Sequence, residues 1–260
     1  MLSVLSPAKS LDYESKLATT KTSEPLMLDE SAKLVKVMAG KSPDKIAKLM
    51  GISSSLAELN FDRYQNWEVP FTTETARQAI LAFHGDVYIG LDARSFNQRD
   101  FTHAQKTIRI LSGLYGVLRP LDLMMPYRLE MGTKLKTKRG KDLYQFWDGR
   151  ITDQLNADIE ASPGDPVLVN LASNEYFKSV KPKGLDAPVV SPAFLDAKGD
   201  GDYRMVSFFA KKARGSMAAW IVRQRATNVA DLQGFDGMGY AYDAERSTDD
   251  RPVFLRRNAA

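Results

Sequence analysis

The sequence predicts an α+β fold, a single domain (1–260) of mixed strands with peripheral helices. Three observations carry that expectation. Short apolar clusters rich in Val, Ile, Leu and aromatic residues recur along the chain, most of them bounded by Gly, Pro, Asp or Asn. Stretches with apolar residues three and four apart lie between them. No repeat, low-complexity tract or Pro/Ser-rich linker divides the 260 residues. The first half reads as mostly helical, the second as strands alternating with helices.

Taken in order, residues 2–5 form the first apolar cluster and the first expected strand. Ser31 to Met38 follows as a helix with Leu34, Val35 and Met38 on one face. Ser42 and Pro43 then read as an N-cap followed by proline at the first helical position, with Ile46, Leu49 and Met50 at helical spacing. Gly51 breaks this helix, Ile52 plugs the turn, and Ser53-Ser54-Ser55 opens a second helix carrying Leu56, Ala57 and Leu59. Thr73 to Phe83, with Ala76, Ile80 and Phe83, reads as a helix, and 86–90 as a strand. Asp142 is the expected N-cap of one long helix to Ile159, whose stripe of Leu143, Phe146, Trp147, Ile151 and Leu155 suits a helix lying on a sheet. Residues 166–172, 188–195 and 203–210 are expected strands, the last two joined by a hairpin around Ala197-Lys198-Gly199-Asp200-Gly201. Lys211 to Arg225 is a helix with Met217, Trp220 and Ile221 inward, and 239–242 and 252–256 are the last strands.

Composition excludes several classes of function. The chain has no cysteine and two histidines, which rules out disulfides, thiol nucleophiles, iron–sulfur clusters and Cys-ligated zinc. No metal site and no cofactor is expected. The residues Asp196 to Asp202 resemble a calcium loop only superficially, because Lys198 takes a ligand position and Ser207 stands where a bidentate Glu belongs. His84 and His103 have no serine or carboxylate at triad spacing, and Gly234, Gly237 and Gly239 are wrongly spaced for a dinucleotide fingerprint. No apolar run reaches the length of a membrane span, and the apolar start ends at Ser6-Pro7, too short for a signal-peptide core. A cytoplasmic protein is expected. The net charge of +4 permits an anionic partner without demanding one.

Where the cations sit is more informative. Leu49-Met50-Gly51-Ile52-Ser53-Ser54-Ser55 has the hydrophobic-Gly-hydrophobic core of a helix-hairpin-helix, a unit that grips DNA backbone. Glycine permits a left-handed turn, the next helix start presents free N–H groups with the hydroxyls of Ser53 and Ser54, and Lys45 and Lys48 add countercharge. A plain helical hairpin with a glycine C-cap explains the same residues. Lys211, Lys212 and Arg214 crowd the expected first turn of their helix, where the dipole disfavours cations unless an anion is bound. Lys9 after the first strand, and Lys178, Lys181 and Lys183 after the strand ending near Ser173, are further cations at strand ends, where α/β sheets commonly receive anions. The run Lys134, Lys136, Lys138, Arg139 and Lys141 is a basic loop. In the proline-punctuated block 111–132, Arg119, Asp122, Arg128 and Glu130 lie among apolar residues, either as internal ion pairs or as a ligand site.

The runs Leu5-Ser6-Pro7-Ala8-Lys9-Ser10-Leu11-Asp12, Leu111-Ser112-Gly113-Leu114-Tyr115-Gly116, Pro126-Tyr127-Arg128-Leu129-Glu130-Met131-Gly132, Asn170-Leu171-Ala172-Ser173 and Lys211-Lys212-Ala213-Arg214-Gly215 together resemble the YaaA family of peroxide stress resistance proteins, from residue 1 to beyond Tyr240. Only Ser10, where the family would have Thr, departs noticeably. The resemblance implies a bacterial cytoplasmic protein that limits unincorporated iron and so protects DNA and proteins from peroxide. It also implies a curved mixed sheet enclosed by helices, a helix-hairpin-helix at 43–60, and a basic cleft for double-stranded or branched DNA. The hairpin carries over onto Lys48, Gly51, Ser53 and Ser54, and the cleft onto Lys9, Arg128, Lys211, Lys212 and Arg214. The leading expectation is a DNA-binding stress protein without enzymatic activity. The rival is an enzyme acting on a small phosphorylated or carboxylated metabolite, with Lys9, Arg128, Glu130 and Lys211 around one pocket. It requires those four to converge.

Overall fold

A computed structural model describes residues 1–199 and 201–258 of the chain. In chain order its helices are α1 (Leu28–Ala39), α2 (Pro43–Met50), α3 (Ser54–Gln65), α4 (Ala79–Ala82), α5 (Asp86–Leu91), α6 (Gln98–Thr107), α7 (Leu143–Trp147), α8 (Arg150–Ala161), α9 (Asn174–Phe177) and α10 (Ser207–Gln224). Its strands are β1 (Leu2–Leu5), β2 (Ser10–Leu11), β3 (Arg77–Gln78), β4 (Phe83–His84), β5 (Ile108–Ser112), β6 (Gly116–Leu118), β7 (Leu123–Met124), β8 (Leu168–Leu171), β9 (Val189–Val190), β10 (Ala193–Lys198), β11 (Ala241–Tyr242) and β12 (Val253–Asn258). The architecture is α+β, as the sequence predicts.

A central sheet runs in the order β6-β5-β1-β8-β9. Its strands are parallel except for β6, which turns back antiparallel on β5. Every residue of β1 is buried, so its continuous apolar run is that of a strand covered on both faces. Helix α10 packs against β1 and β8, and α6 against β1 and β5. The one charge that β5 carries into this core, Arg109, is held by Asp158 of α8 in a two-pronged ion pair at 2.7 and 2.9 Å. A second sheet, β10-β12-β11, closes over Phe194, Phe235, Tyr240 and Phe254.

Local chemistry explains several boundaries. Gly51 ends α2 with φ 61°, a left-handed value that a Cβ would strain. Ser53 caps α3 by accepting the Leu56 N–H. Asp142 caps α7 by accepting the Gln145 N–H at 2.9 Å. Ile46, Ala57 and Tyr64 bury the inner face of the α2–α3 pair, and the Tyr64 hydroxyl donates to the Arg128 carbonyl at 2.6 Å.

Five expectations need correction. Residues 86–90 form helix α5, because packing against α10 outweighs the strand preference of Val87, Tyr88 and Ile89. Residues 73–83 are not one helix. All of 79–82 is buried, and the N–H groups of Ala79 and Ile80 go to the carbonyls of Asp122 and Pro120 in place of a helical ladder. The expected helix 142–159 breaks between α7 and α8 at Asp148, whose φ is 46°. The stretch 203–210 forms an isolated bridge to β10 at Arg204, paired with Asp196, and turns helical at Ser207. Asp200, in the expected hairpin turn, lies outside the described residues. Because α10 starts at Ser207, Lys211, Lys212 and Arg214 stand beyond its first turn, and the dipole argument for an anion there lapses. Strands β5 and β6 were not anticipated from the block at 111–132.

Candidate functional site

The carboxyl ends of β1 and β8 lie side by side, with Leu5 opposite Leu171. The loops that leave them are clamped together, since the Ser173 N–H donates to Ser6 Oγ at 2.8 Å and the two hydroxyls lie 3.2 Å apart. Above this junction opens a cavity of about 410 Å³. Five elements bring charge to it: Lys9 from the β1 loop, Asp86 from the start of α5, Arg128 and Glu130 from the strap after β7, Glu175 from α9, and Lys211 and Arg214 from α10. The location outside the strand ends is where parallel sheets generally receive ligands. Lys9, Arg128, Glu130 and Lys211 thus converge on one concave site.

Close helix packing positions the α10 cations. A Cβ on Gly215 would come within 1.7 Å of the Val87 carbonyl oxygen, so only glycine lets α10 lie directly against α5. That contact sets Lys211 and Arg214 beside Asp86 and Val87. Lys212, on another side of the helix, lies 4.3 Å from the centre of the Phe208 ring and does not line the cavity.

The electrostatics separate committed charges from free ones. Glu130 lies between Lys9 Nζ at 2.7 Å and Arg128 at 3.3 Å. Glu175, also on the cavity wall, accepts the Gly132 N–H at 2.8 Å. Lys211 and Arg214 have no carboxylate within ion-pair distance among the described residues, and burial alone lowers the Arg214 pKa from its ordinary value. The Arg128 Nε–H is buried without an acceptor. A polar group buried without a partner costs about 1–3 kcal/mol, so unfilled donors here favour an incoming oxyanion. Beneath the floor, the Tyr88 hydroxyl donates to the Ser6 carbonyl at 3.0 Å, and burial pushes the pKa values of Tyr88, Tyr127 and Tyr176 upward. These phenols stay neutral, and Tyr127 and Tyr176 form part of the cavity wall.

The other sequence candidates lie elsewhere. Lys45, Lys48, Gly51, Ser53 and Ser54 are exposed along the α2–α3 turn, and none lines the cavity. Arg119 and Asp122 form an internal clamp at 2.9 Å, with the buried Asp122 also accepting from Ser23 at 2.6 Å. Arg139 pairs with Glu30, Lys181 pairs with Asp148, and Lys178 sits 5.0 Å from the centre of the Tyr144 ring. Sequence reasoning missed Ser6, Ser173, Asp86 and His84 as cavity residues. Their available signal was position, since Ser6 and Ser173 each follow a short buried strand within one or two residues.

Among the described residues no group of three or more His, Asp or Glu is arranged to hold a metal ion, and no helix is long and apolar enough to cross a membrane. Compared with known families, residues 1–246 match the family described as peroxide stress protein YaaA.

Proposed function

This chain belongs to the peroxide stress protein YaaA family, and from that premise we propose that it serves the peroxide stress response by binding DNA without reading its sequence. The observation that carries the reading is the cavity at the ends of β1 and β8, where Lys211 and Arg214 lack counterions among the described residues and Arg128 has an unfilled donor. Successive backbone phosphates entering there would satisfy all three. The turn between α2 and α3 offers a second grip of the helix-hairpin-helix kind, with Ser53, Ser54, Lys45 and Lys48 exposed around the left-handed Gly51. Tyr64 further along α3 donates its hydroxyl to the Arg128 carbonyl at 2.6 Å, which ties the hairpin to the strap that carries Arg128. The role proposed is that of a cytoplasmic protein that limits unincorporated iron and protects DNA and proteins, binding double-stranded or branched DNA through these features.

The test is fluorescence anisotropy with duplex and junction DNA over a range of salt. Each phosphate neutralised adds about 0.9 to the slope of log K against log salt, so Lys211→Ala with Arg214→Ala should reduce it by about two units. Salt-independent or undetectable binding would sink the reading.

One observation favours a second reading, an enzyme or binding protein for a small phosphorylated or carboxylated metabolite. The cavity holds Asp86, Glu130 and Glu175 alongside its cations, a mixture suited to one small anion with acid–base groups beside it. Glu130→Gln separates the two. If Glu130 only neutralises Lys9 and Arg128, its loss strengthens DNA binding severalfold, within about 1 kcal/mol for such a partly exposed pair. Weakened phosphate binding would instead place Glu130 on the ligand, as the second reading requires.

A further inference from the structure

Helix α10 carries cations at both of its ends. Lys211 and Arg214 face the cavity described above, and Arg225 caps the other end in a left-handed conformation, φ 57°. From Arg214 to Arg225 the helix rises about 16 Å. At that far end lies a second, shallower concavity of about 360 Å³, sharing no residue with the first. Lys21, Arg99, Thr102, His103, Lys106 and Arg225 line it.

Its charge is one-sided. Four of the lining side chains are formal cations and none is a carboxylate, whereas the first cavity sets three carboxylates against four cations. Asp100, the carboxylate that binds Arg225 at 2.7 Å, is buried and also accepts the Asn97 N–H in the capping box of α6. Lys21 is anchored to the Gln98 carbonyl at 2.9 Å and to Thr102 at 2.6 Å. Arg99 and Lys106 are exposed and make no ion pair among the described residues. His103 lies between them with Nε2 buried and lacking a hydrogen-bond partner. Burial, then Arg225 and Lys106, lowers its pKa, and Asp100 opposes the shift.

Charge and spacing suit an extended polyanion. Positions 99, 103 and 106 share one face of α6, and Arg99 and Lys106 are about 10 Å apart along its axis. A nucleic-acid strand with a phosphate every ~3.4 Å of axis presents about three over that length. We propose that the exposed face of α6, from Arg99 to Lys106 with Lys21 and Arg225 at its sides, is a docking track for the sugar–phosphate backbone of DNA. This inference rests on the DNA-binding reading and gives that reading a second contact surface, more purely cationic than the cavity.

The decisive measurement is anisotropy of a labelled 20-base-pair duplex between 50 and 200 mM salt for the full chain, the pair Arg99→Ala with Lys106→Ala, and the pair Lys211→Ala with Arg214→Ala. Both α6 positions are exposed, and an unchanged thermal midpoint confirms that the variant is folded. The track predicts a slope about two units shallower for the α6 pair and about tenfold weaker binding at the lowest salt. A slope equal to that of the unaltered chain overturns it while leaving the cavity reading intact. Loss of slope in the α6 pair alone supports the track and removes the cavity as the phosphate site. Undetectable binding by the unaltered chain overturns both. Millimolar inorganic phosphate that abolishes the difference between the unaltered chain and the α6 pair would show a small-anion site and also overturn the track.

Discussion

At the scale of single residues, the deciding question is whether a charge is already answered within the chain. Glu130 answers Lys9 and Arg128, and Asp122 answers Arg119, whereas Arg214 and Lys106 find no carboxylate among the described residues. The sequence could not draw that line, because every partner but Asp122 lies far along the chain or two residues away on a strap of unknown course. It did name Lys9, Arg128, Glu130 and Lys211 together, as the set that the enzyme reading requires to converge, and all four line the cavity. Glu30 shows what a committed pair does for stability. Arg139 and Lys33 hold its carboxylate down to about 2 from an ordinary 4.5. A depressed acid stabilises the fold above its unfolded pKa and loses that contribution as pH falls through its folded one. Glu30→Gln should therefore flatten the decline of the thermal midpoint between about pH 4.5 and pH 2, relative to the unaltered chain. An identical decline in both would show that the pair does not matter to stability.

At the scale of elements, the site depends on how closely α5 and α10 approach. Gly215 touches the Val87 carbonyl, and Gly90 in turn lies against the Lys212 carbonyl, so two helices meet backbone to backbone at the cavity's edge. Gly215→Ala should cost about 1–3 kcal/mol, the usual range for overpacking, and should also weaken DNA binding by shifting Lys211 and Arg214. Calorimetry and anisotropy on the same sample check both effects, and a stable variant with unaltered binding would show that the helices can separate freely. The same contact explains what was illegible. Val87, Tyr88 and Ile89 favour a strand by local preference, and nothing nearby in sequence announces that Gly215 waits across the gap. Amphipathic α1, the capped α2–α3 pair and buried β1 could be read directly, because their signals are local: Gly51, Ser53 and a run of apolar residues. Helix α4 could not, because its four residues are buried on all sides and show no period. The α6 track was hidden for a third reason, since its members come from positions 21, 99 to 106 and 225.

At the scale of the whole molecule, a net charge of +4 understates what the surface can bind. Acids are spread through internal clamps and helix caps, while unanswered cations collect at the two ends of α10. Two patches about 16 Å apart along one helix share no lining residue, so their contributions to a common ligand should be independent in energy. They need not be independent in affinity. A duplex long enough to reach both gains from the second contact as an intramolecular event, whereas a short one can occupy only one patch at a time. Combining Lys211→Ala, Arg214→Ala, Arg99→Ala and Lys106→Ala should then lower the salt slope for a long duplex by about four units, the sum of the two pairs. For a single-stranded trinucleotide, about 10 Å long at ~3.4 Å per nucleotide and so too short to bridge the patches, each pair alone should lower the slope by less than it does for the long duplex. Equal losses for the trinucleotide and the long duplex would mean that the two patches never hold one DNA together, and that α10 links two separate sites.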